Sequence, residues 1–137
     1  MRKIKFRAFC KRTHEMYDVI KMLWHGTEIE FQVGYYENPS WGTRIRKAGD
    51  IELMQYTGLK DKAGKEIYEH DIVEITAIDE KGRTEKLKGN VSFERFEYCV
   101  ITETPSWPCV SWSCIIVSEV IGNIYESPEL LDERMAK

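Results

Sequence analysis

The segment from Leu53 to Thr76 constrains the fold of this chain more than any other. It contains two stretches of apolar, aromatic and β-branched residues, separated by a segment that holds Gly58, Asp61 and Gly64. Glycine tolerates positive φ, and an aspartate side chain can hydrogen-bond nearby backbone amides, so this spacing is typical of a tight reversal. The segment therefore predicts two antiparallel β-strands joined by a turn.

The residues that follow continue the pattern. A tight turn at residues 69–71 is expected to open a long strand, and a hairpin at residues 80–83 leads into a return strand. Turn, strand, hairpin and strand in this order are found in small Src-homology-3-like barrels. We expect Ile67, Val73 and Ile75 to lie in the core of such a barrel, because they occupy apolar positions of the two strands.

Further strands are predicted before this segment. Residues 3–8 alternate between basic and apolar side chains, residues 16–24 suit a half-buried pleated surface, and residues 28–33 alternate again. A loop at residues 34–42 follows, because Gly, Asn, Pro and Ser collect there. The sequence thus indicates a β-rich N-terminal part.

The end of the chain predicts a short helix. Ser127 can cap its N-terminus, Pro128 suits the first helical position, and Glu129 places negative charge at the positive end of the helix dipole. The predicted fold is mainly β: a small Src-homology-3-like barrel with an additional β-rich N-terminal part and a short C-terminal helix. The chain forms one unit, 1–137, with sub-parts 1–50 and 51–137.

Composition limits the classes of function. The net charge is -3, and no apolar run reaches the roughly 18 residues that a membrane span needs. The basic start lacks the continuous apolar stretch of a secretory signal, so a cytoplasmic location is expected without membrane association. The 4 cysteines include no Cys-x-x-Cys pair and the 3 histidines are scattered, so we expect free thiols, no metal and no cofactor.

Three blocks of sequence resemble a known family. Residues 54–69, Met-Gln-Tyr-Thr-Gly-Leu-Lys-Asp-Lys-Ala-Gly-Lys-Glu-Ile-Tyr-Glu, are similar to the central signature of the YopX family. Residues 1–8 resemble its first strand, and residues 120–131 resemble its closing strand and short helix. The resemblance implies a mostly β protein with a Src-homology-3-like barrel, encoded by a phage or prophage of a bacterial host, and it transfers no catalytic residue.

The chain departs from the family at one turn. The family typically has glycine where this chain has His70. The turn after Glu69 is therefore expected either to be of another type or to hold His70 in a left-handed conformation, which costs a non-glycine residue energy.

Candidate catalytic groups are few. Four carboxylates cluster in sequence and could hold a cation or exchange protons, although charge on a solvated strand edge explains them more simply: Glu66, Glu69, Asp71 and Glu74. Cys109 or Cys114 could pair with a histidine as a nucleophile, but neither lies in a recognised catalytic motif. The sequence therefore predicts no enzymatic activity.

Binding is the better-supported kind of function. Small barrels often hold peptides or nucleic acid, with basic residues for phosphate and aromatic rings for stacking. The candidate binding residues are the basic Lys3, Lys5, Arg7, Arg44, Arg46 and Lys47 and the aromatic Tyr35, Tyr36 and Trp41. The negative net charge argues against strong nonspecific binding to nucleic acid.

Three hypotheses follow, in order of preference. The first is a noncatalytic phage or prophage accessory protein that binds a phage or host protein or nucleic acid. The second is a structural protein that forms homo-oligomers, since residues 1–12 are basic and residues 103–137 are mainly acidic. The third is an enzyme whose site the sequence does not reveal.

Overall fold

β-Strands make up most of the chain in this computed structural model, which describes residues 3–35 and 42–131. In the described residues the strands are β1 (Phe6–Cys10), β2 (Glu15–His25), β3 (Glu28–Tyr35), β4 (Thr43–Lys47), β5 (Ile51–Lys60), β6 (Glu66–Tyr68), β7 (Asp71–Ile78), β8 (Thr84–Glu94), β9 (Glu97–Thr102), β10 (Cys109–Ser111) and β11 (Ile115–Asn123). Short 3-10 turns lie at Ala48–Asp50, Trp112–Cys114 and Pro128–Leu130. Among these residues no helix is long and apolar enough to cross a membrane.

The chain divides into two compact units, Met1–Tyr56 and Thr57–Lys137. In the first unit the antiparallel strand order is β4-β3-β2-β1, and the first half of β5 pairs with β1. Alternate positions of these strands form one apolar core, made by Ala8, Cys10, Tyr17, Phe31, Val33 and Ile51. The further division into sub-parts 1–50 and 51–137 stays a prediction.

The second unit contains a five-stranded antiparallel sheet in the order β10-β9-β8-β7-β11, and its short strand β6 pairs with β5. Its core holds Ile67, Val73, Ile75, Ala77, Leu87, Val91, Val100 and Val110. Ile67 and Val73 are fully buried and Ile75 is 3% exposed, so the three predicted core positions are confirmed.

The mainly β class is confirmed, but the closed Src-homology-3-like barrel is not. Within the described residues β10 and β11 lie at opposite edges of their sheet, so the strands do not close on themselves. The C-terminal helix is also not confirmed. Pro128–Leu130 form a single 3-10 turn, Ser127 makes no side-chain capping bond, and the residues from 132 onward lie outside the described chain.

The predicted turn around Asp61 is present, with a shifted start. β5 continues through Gly58, which adopts a φ of 86°, and the chain reverses only at Asp61. One carboxylate oxygen of Asp61, Oδ1, accepts hydrogen bonds from the amides of Ala63 and Lys65, both at 2.9 Å. The other, Oδ2, accepts from the amide of Val120 in β11 at 3.0 Å, so the aspartate joins the turn to a distant strand.

A second turn precedes β7, as the sequence predicted. His70 lies in it with a φ of 70°, which confirms the left-handed alternative. Its amide donates to the Val91 carbonyl at 2.8 Å, and its carbonyl accepts from the Ile124 amide at 3.0 Å. Hydrogen bonds on both sides therefore hold an L-residue in a conformation that favours glycine.

This geometry predicts a difference between two substitutions at one position. His70→Gly and His70→Ala both remove the imidazole, whose ring centroid lies 5.8 Å from that of Tyr125. Only alanine keeps the Cβ that disfavours positive φ, so the glycine variant should be more stable by about 1 kcal/mol. Urea unfolding of the two variants measures the difference, and equal stability would show that the turn does not impose this conformation.

A tight hairpin joins β8 and β9. Arg95 and Phe96 adopt φ values of 50° and 70°, and Phe96 is 96% exposed. Neither turn residue is Gly, Asn or Asp, the residues that usually mark such a hairpin in a sequence. Glu94 pairs directly with Glu97 across the turn.

Candidate binding surfaces

The basic residues of the first unit lie on two faces of its sheet. Arg44 and Arg46 stand opposite the core residues Val33 and Phe31 in the β3–β4 register, so both project to the core side. Arg7 is next to the core residue Ala8 in β1, and neighbouring strand residues point to opposite faces. The predicted basic residues therefore do not form one continuous patch.

Arg7 is not available as a surface residue. It is 4% exposed, its Nη2 donates to the Met54 Sδ at 3.5 Å, and it lies opposite Asp18 in the β1–β2 register. Burial leaves little of Arg7 accessible to a phosphate group, and its role in binding stays a prediction. Lys3 is exposed, and the Lys5 ammonium lies 5.6 Å from the centroid of the Tyr56 ring, in the range of a cation–π contact.

Arg46 contributes to the packing of the first unit. Its Nη2 donates to the Tyr17 hydroxyl at 3.3 Å, and its guanidinium carbon lies 5.5 Å from the centroid of the Tyr17 ring. Burial raises the pKa of the neighbouring Cys10 thiol, but hydrogen bonds from Thr13, Arg12 and Arg46 outweigh it and lower that pKa. Of the three predicted basic residues in β4, Arg44 and Lys47 are exposed and Arg46 is half-buried.

The aromatic part of the predicted site is not placed by the structure. Tyr36 and Trp41 lie outside the described residues, and so does the side chain of Tyr35. Their contribution to binding stays a prediction.

The second unit has an open groove with a volume of about 970 Å³. Its lining comes partly from β7, β8 and β11, where Val117 stands opposite Thr76 and Thr76 stands opposite Lys86. The rest of the lining comes from Lys62, residues 103–105 and Leu131. Pro105, Leu131 and Val117 supply apolar surface, and Val117 is 44% exposed. We call this surface the β7–β11 groove.

Among the residues that the structure describes, lysines and glutamates line the β7–β11 groove in equal number. The lysines are Lys62, Lys86 and Lys88, and the glutamates are Glu74, Glu103 and Glu119. Glu74 stands opposite Lys88 on one side and Glu119 on the other, and Lys62 Nζ lies 3.2 Å from Glu119 Oε2. The sequence did not reveal this grouping, because its residues come from five separate segments of the chain.

The chemistry of the groove suits binding. None of its described lining residues is a histidine or a cysteine, the side chains that most often serve as general base or nucleophile near neutral pH. What the groove offers is an array of hydrogen-bonding and charged groups around a small apolar area.

Two of the carboxylates that cluster in sequence, Asp71 and Glu74, lie in different surroundings. Asp71 is 1% exposed, and its Oδ2 accepts a hydrogen bond from the Tyr68 amide at 2.8 Å, which closes the turn before β7. Glu74 lies in the β7–β11 groove between Lys88 and Glu119. Across residues 3–35 and 42–131 no three His, Cys, Asp or Glu side chains are arranged to hold a metal.

Comparison with known proteins identifies the family. The family model described as YopX protein matches residues 5–132. The crystal structure of protein EF1440 from Enterococcus faecalis is 25% identical, with a TM-score of 0.60 over 96% of this chain and 100% of that one. Protein yopX from Bacillus subtilis has a similar fold, at 20% identity and a TM-score of 0.55 over 96% of this chain and 98% of that one.

A search of curated proteins found no match. The family model nevertheless covers far more than half of the residues, and both structural relatives extend over nearly the whole chain. The chain therefore belongs to the YopX family.

Proposed function

We propose that this chain is a noncatalytic accessory protein of phage or prophage origin that binds another protein in the β7–β11 groove. The observation that carries the proposal is the groove itself, an open surface with an exposed apolar residue, Val117, among charges of both signs. The protein acts in the cytoplasm of the bacterial host, where a phage or host protein is its partner.

A protein fits this groove better than a nucleic acid does. Phosphate backbones are bound by an excess of Lys and Arg, whereas the described part of the groove holds equal numbers of lysines and glutamates and the chain carries a net charge of -3. Protein interfaces combine a small apolar centre with a polar rim. Val117, Pro105 and Leu131 supply apolar surface of this kind, and the six charged side chains supply the polar groups.

The test is photo-cross-linking from inside the groove in living bacterial cells that carry the prophage. A photoreactive amino acid replaces Val117, which is 44% exposed, in one variant. In the matched control it replaces Ile20, an exposed β-branched residue of the first unit that does not line the groove. Illumination of the Val117 variant should give one discrete adduct that protease removes and nuclease does not.

A charge-reversed variant makes the test specific for the groove. Adding Lys86→Glu and Lys88→Glu to the Val117 probe should abolish the adduct, because both changes replace positive by negative charge in the lining. The proposal is overturned if Ile20 gives the same adduct, if the reversal has no effect, or if no adduct forms at Val117. An adduct removed by nuclease would also overturn it and assign the groove to nucleic acid.

Self-association is the second candidate function. Within the described residues β4 is an edge strand that pairs only with β3, and identical edges of two copies can pair about a two-fold axis. Light scattering over a range of concentrations decides this case. A concentration-dependent dimer would favour self-association over a separate partner, whereas a monomer at every concentration would contradict it.

A further inference from the structure

Two cysteines of the second unit lie in contact. The Cys99 Sγ in β9 and the Cys109 Sγ in β10 are 3.2 Å apart, and both thiols are free. Cys99 is 1% exposed, whereas Cys109 is exposed. The chain thus places a reagent-accessible thiol directly against a sheltered one, although the two are ten positions apart in sequence.

The strand register explains this contact. Val100 and Val110 stand directly opposite each other and both lie in the core, so the flanking cysteines project to the other face of the sheet. A disulfide bond is about 2.05 Å long, so the two sulfurs would have to approach by roughly 1.1 Å. β10 is only three residues long and, among the described strands of its sheet, it pairs with β9 alone.

We propose that Cys99 and Cys109 are a redox pair that forms a reversible intramolecular disulfide with a peroxide as oxidant. The Cys109 thiolate attacks one peroxide oxygen, which gives a sulfenic acid and releases the other oxygen as water or alcohol. The Cys99 sulfur then attacks the Cys109 sulfur and displaces water, while Cys99 loses its proton. The two thiols lose two electrons and two protons in total, and the peroxide is reduced.

The two cysteines have different roles because their surroundings differ. Burial, the neighbouring Cys109, and the carboxylates of Glu94 and Glu97 raise the pKa of Cys99 to about 12, so this thiol stays protonated at neutral pH. A thiol is a far weaker nucleophile than a thiolate, and the peroxide reaches exposed sulfur first. Cys109 is therefore the attacking residue and Cys99 the resolving one.

The disulfide would affect one wall of the groove. It closes a loop that contains residues 103–105, which line the β7–β11 groove. Hydrogen bonds already draw this loop together, since the Thr102 amide donates to the Pro108 carbonyl at 2.9 Å and the Thr102 hydroxyl donates to the Trp107 carbonyl at 2.7 Å. Control of partner binding by oxidation rests on the proposed function, whereas formation of the disulfide does not.

The experiment treats the reduced, folded protein with a small excess of hydrogen peroxide at neutral pH. After quenching and denaturation, two of its 4 cysteines should no longer react with an alkylating reagent. The intact mass should fall by about 2 Da for the loss of two hydrogens. Dithiothreitol should restore both the mass and the number of cysteines that react. Cleavage after Glu103 and after Trp112 separates the three cysteines of this region and should show Cys99 linked to Cys109.

Two variants serve as controls. The Cys109→Ser variant should lose no pair of thiols on oxidation and should give no cross-linked peptide. Because Cys109 is exposed and Cys99 is buried, replacing Cys109 disturbs the fold less than replacing Cys99 would. Cys114→Ser removes another partly exposed cysteine of the same unit and should oxidise as the natural sequence does. A disulfide that involves Cys114, a linkage between two molecules, or oxidation that stops at sulfinic acid on Cys109 would overturn the proposal.

Discussion

Replacing Gly89 with alanine is expected to cost at least about 4 kcal/mol of unfolding free energy, because the backbone of a neighbouring strand occupies the space of the new methyl group. A Cβ at this position would clash with the carbonyl oxygen of Ile101. It would also lie 2.8 Å from the carbonyl carbon of Ile101 and 2.8 Å from the Val100 Cγ1. The carbonyl belongs to the paired strand β9, so the clash is removed only if β8 and β9 move apart.

Gly49→Ala is the matched control for this prediction. Gly49 lies in the 3-10 turn Ala48–Asp50, and no atom lies within 4 Å of the Cβ that would be added there. Its alanine variant should differ from the natural sequence by no more than about 0.5 kcal/mol. Chemical denaturation followed by circular dichroism measures the unfolding free energy of both variants. A Gly89→Ala variant as stable as the control would contradict the close approach of β9 to β8.

Asp61→Ala should be the next most damaging change, with a loss of about 3 to 5 kcal/mol. The substitution removes the acceptor of three backbone amides, those of Ala63, Lys65 and Val120. Asp61 is 8% exposed, so water cannot readily replace the carboxylate as a partner. The contact to Val120 matters most, because it connects residues 59 positions apart in the chain.

Asp79→Ala is the control for this long-range contact. Asp79 makes the same local bonds in the β7–β8 hairpin, where its Oδ1 accepts from the amides of Lys81 and Arg83. Its other oxygen, Oδ2, contacts only the nearby Arg83 side chain, at an exposed position. Its loss should therefore be clearly smaller, and equal effects of the two substitutions would contradict a special role for the bond between Asp61 and Val120.

The same aspartate predicts a dependence on pH. Burial raises the pKa of Asp61, but hydrogen bonds from Val120, Lys65 and Ala63 outweigh it and lower that pKa in the folded protein. A depressed folded pKa stabilises the protein above the unfolded value of about 3.9 and ceases to do so as pH falls through the folded value. The difference in stability between the natural sequence and Asp61→Ala should therefore narrow below about pH 4, as denaturation at pH 7 and pH 3 can measure.

The features that sequence predicted well depend on local chemistry. The reversal at Asp61 follows from an aspartate and a glycine whose interactions span only a few residues. The core positions Ile67, Val73 and Ile75 follow from the alternation of side chains along a strand. The left-handed conformation of His70 was one of two alternatives, because the turn, and not the residue type, imposes it.

Features that depend on distant contacts were not predicted. Closure of the strands into a barrel depends on the pairing of their edges, which alternation along the chain does not specify. The turn at Arg95 and Phe96 lacks the usual turn residues, and its conformation follows from the pairing of Glu94 with Glu97. The short edge strand β4, Thr43–Lys47, carries mostly basic and polar side chains and so shows no strand pattern.

The candidate site illustrates the same limit. Sequence grouped basic residues by their type, but their positions on alternate sides of the strands separate Arg44 and Arg46 from Arg7. The β7–β11 groove and the pair of cysteines bring together residues that are far apart in sequence or lie on neighbouring strands. Such groupings become visible only once the register of the strands is known.

The balanced charges of the β7–β11 groove have a kinetic consequence. Equal numbers of lysines and glutamates leave the described part of the groove with little net charge, and salt at physiological ionic strength screens the remaining field beyond about 8 Å. An approaching protein is then not guided by long-range attraction, so its association rate should stay near the unsteered range of about 10⁵ to 10⁶ M⁻¹s⁻¹ and vary little with added salt. The lifetime of the complex, and not the speed of encounter, would distinguish the true partner from other proteins in the cell.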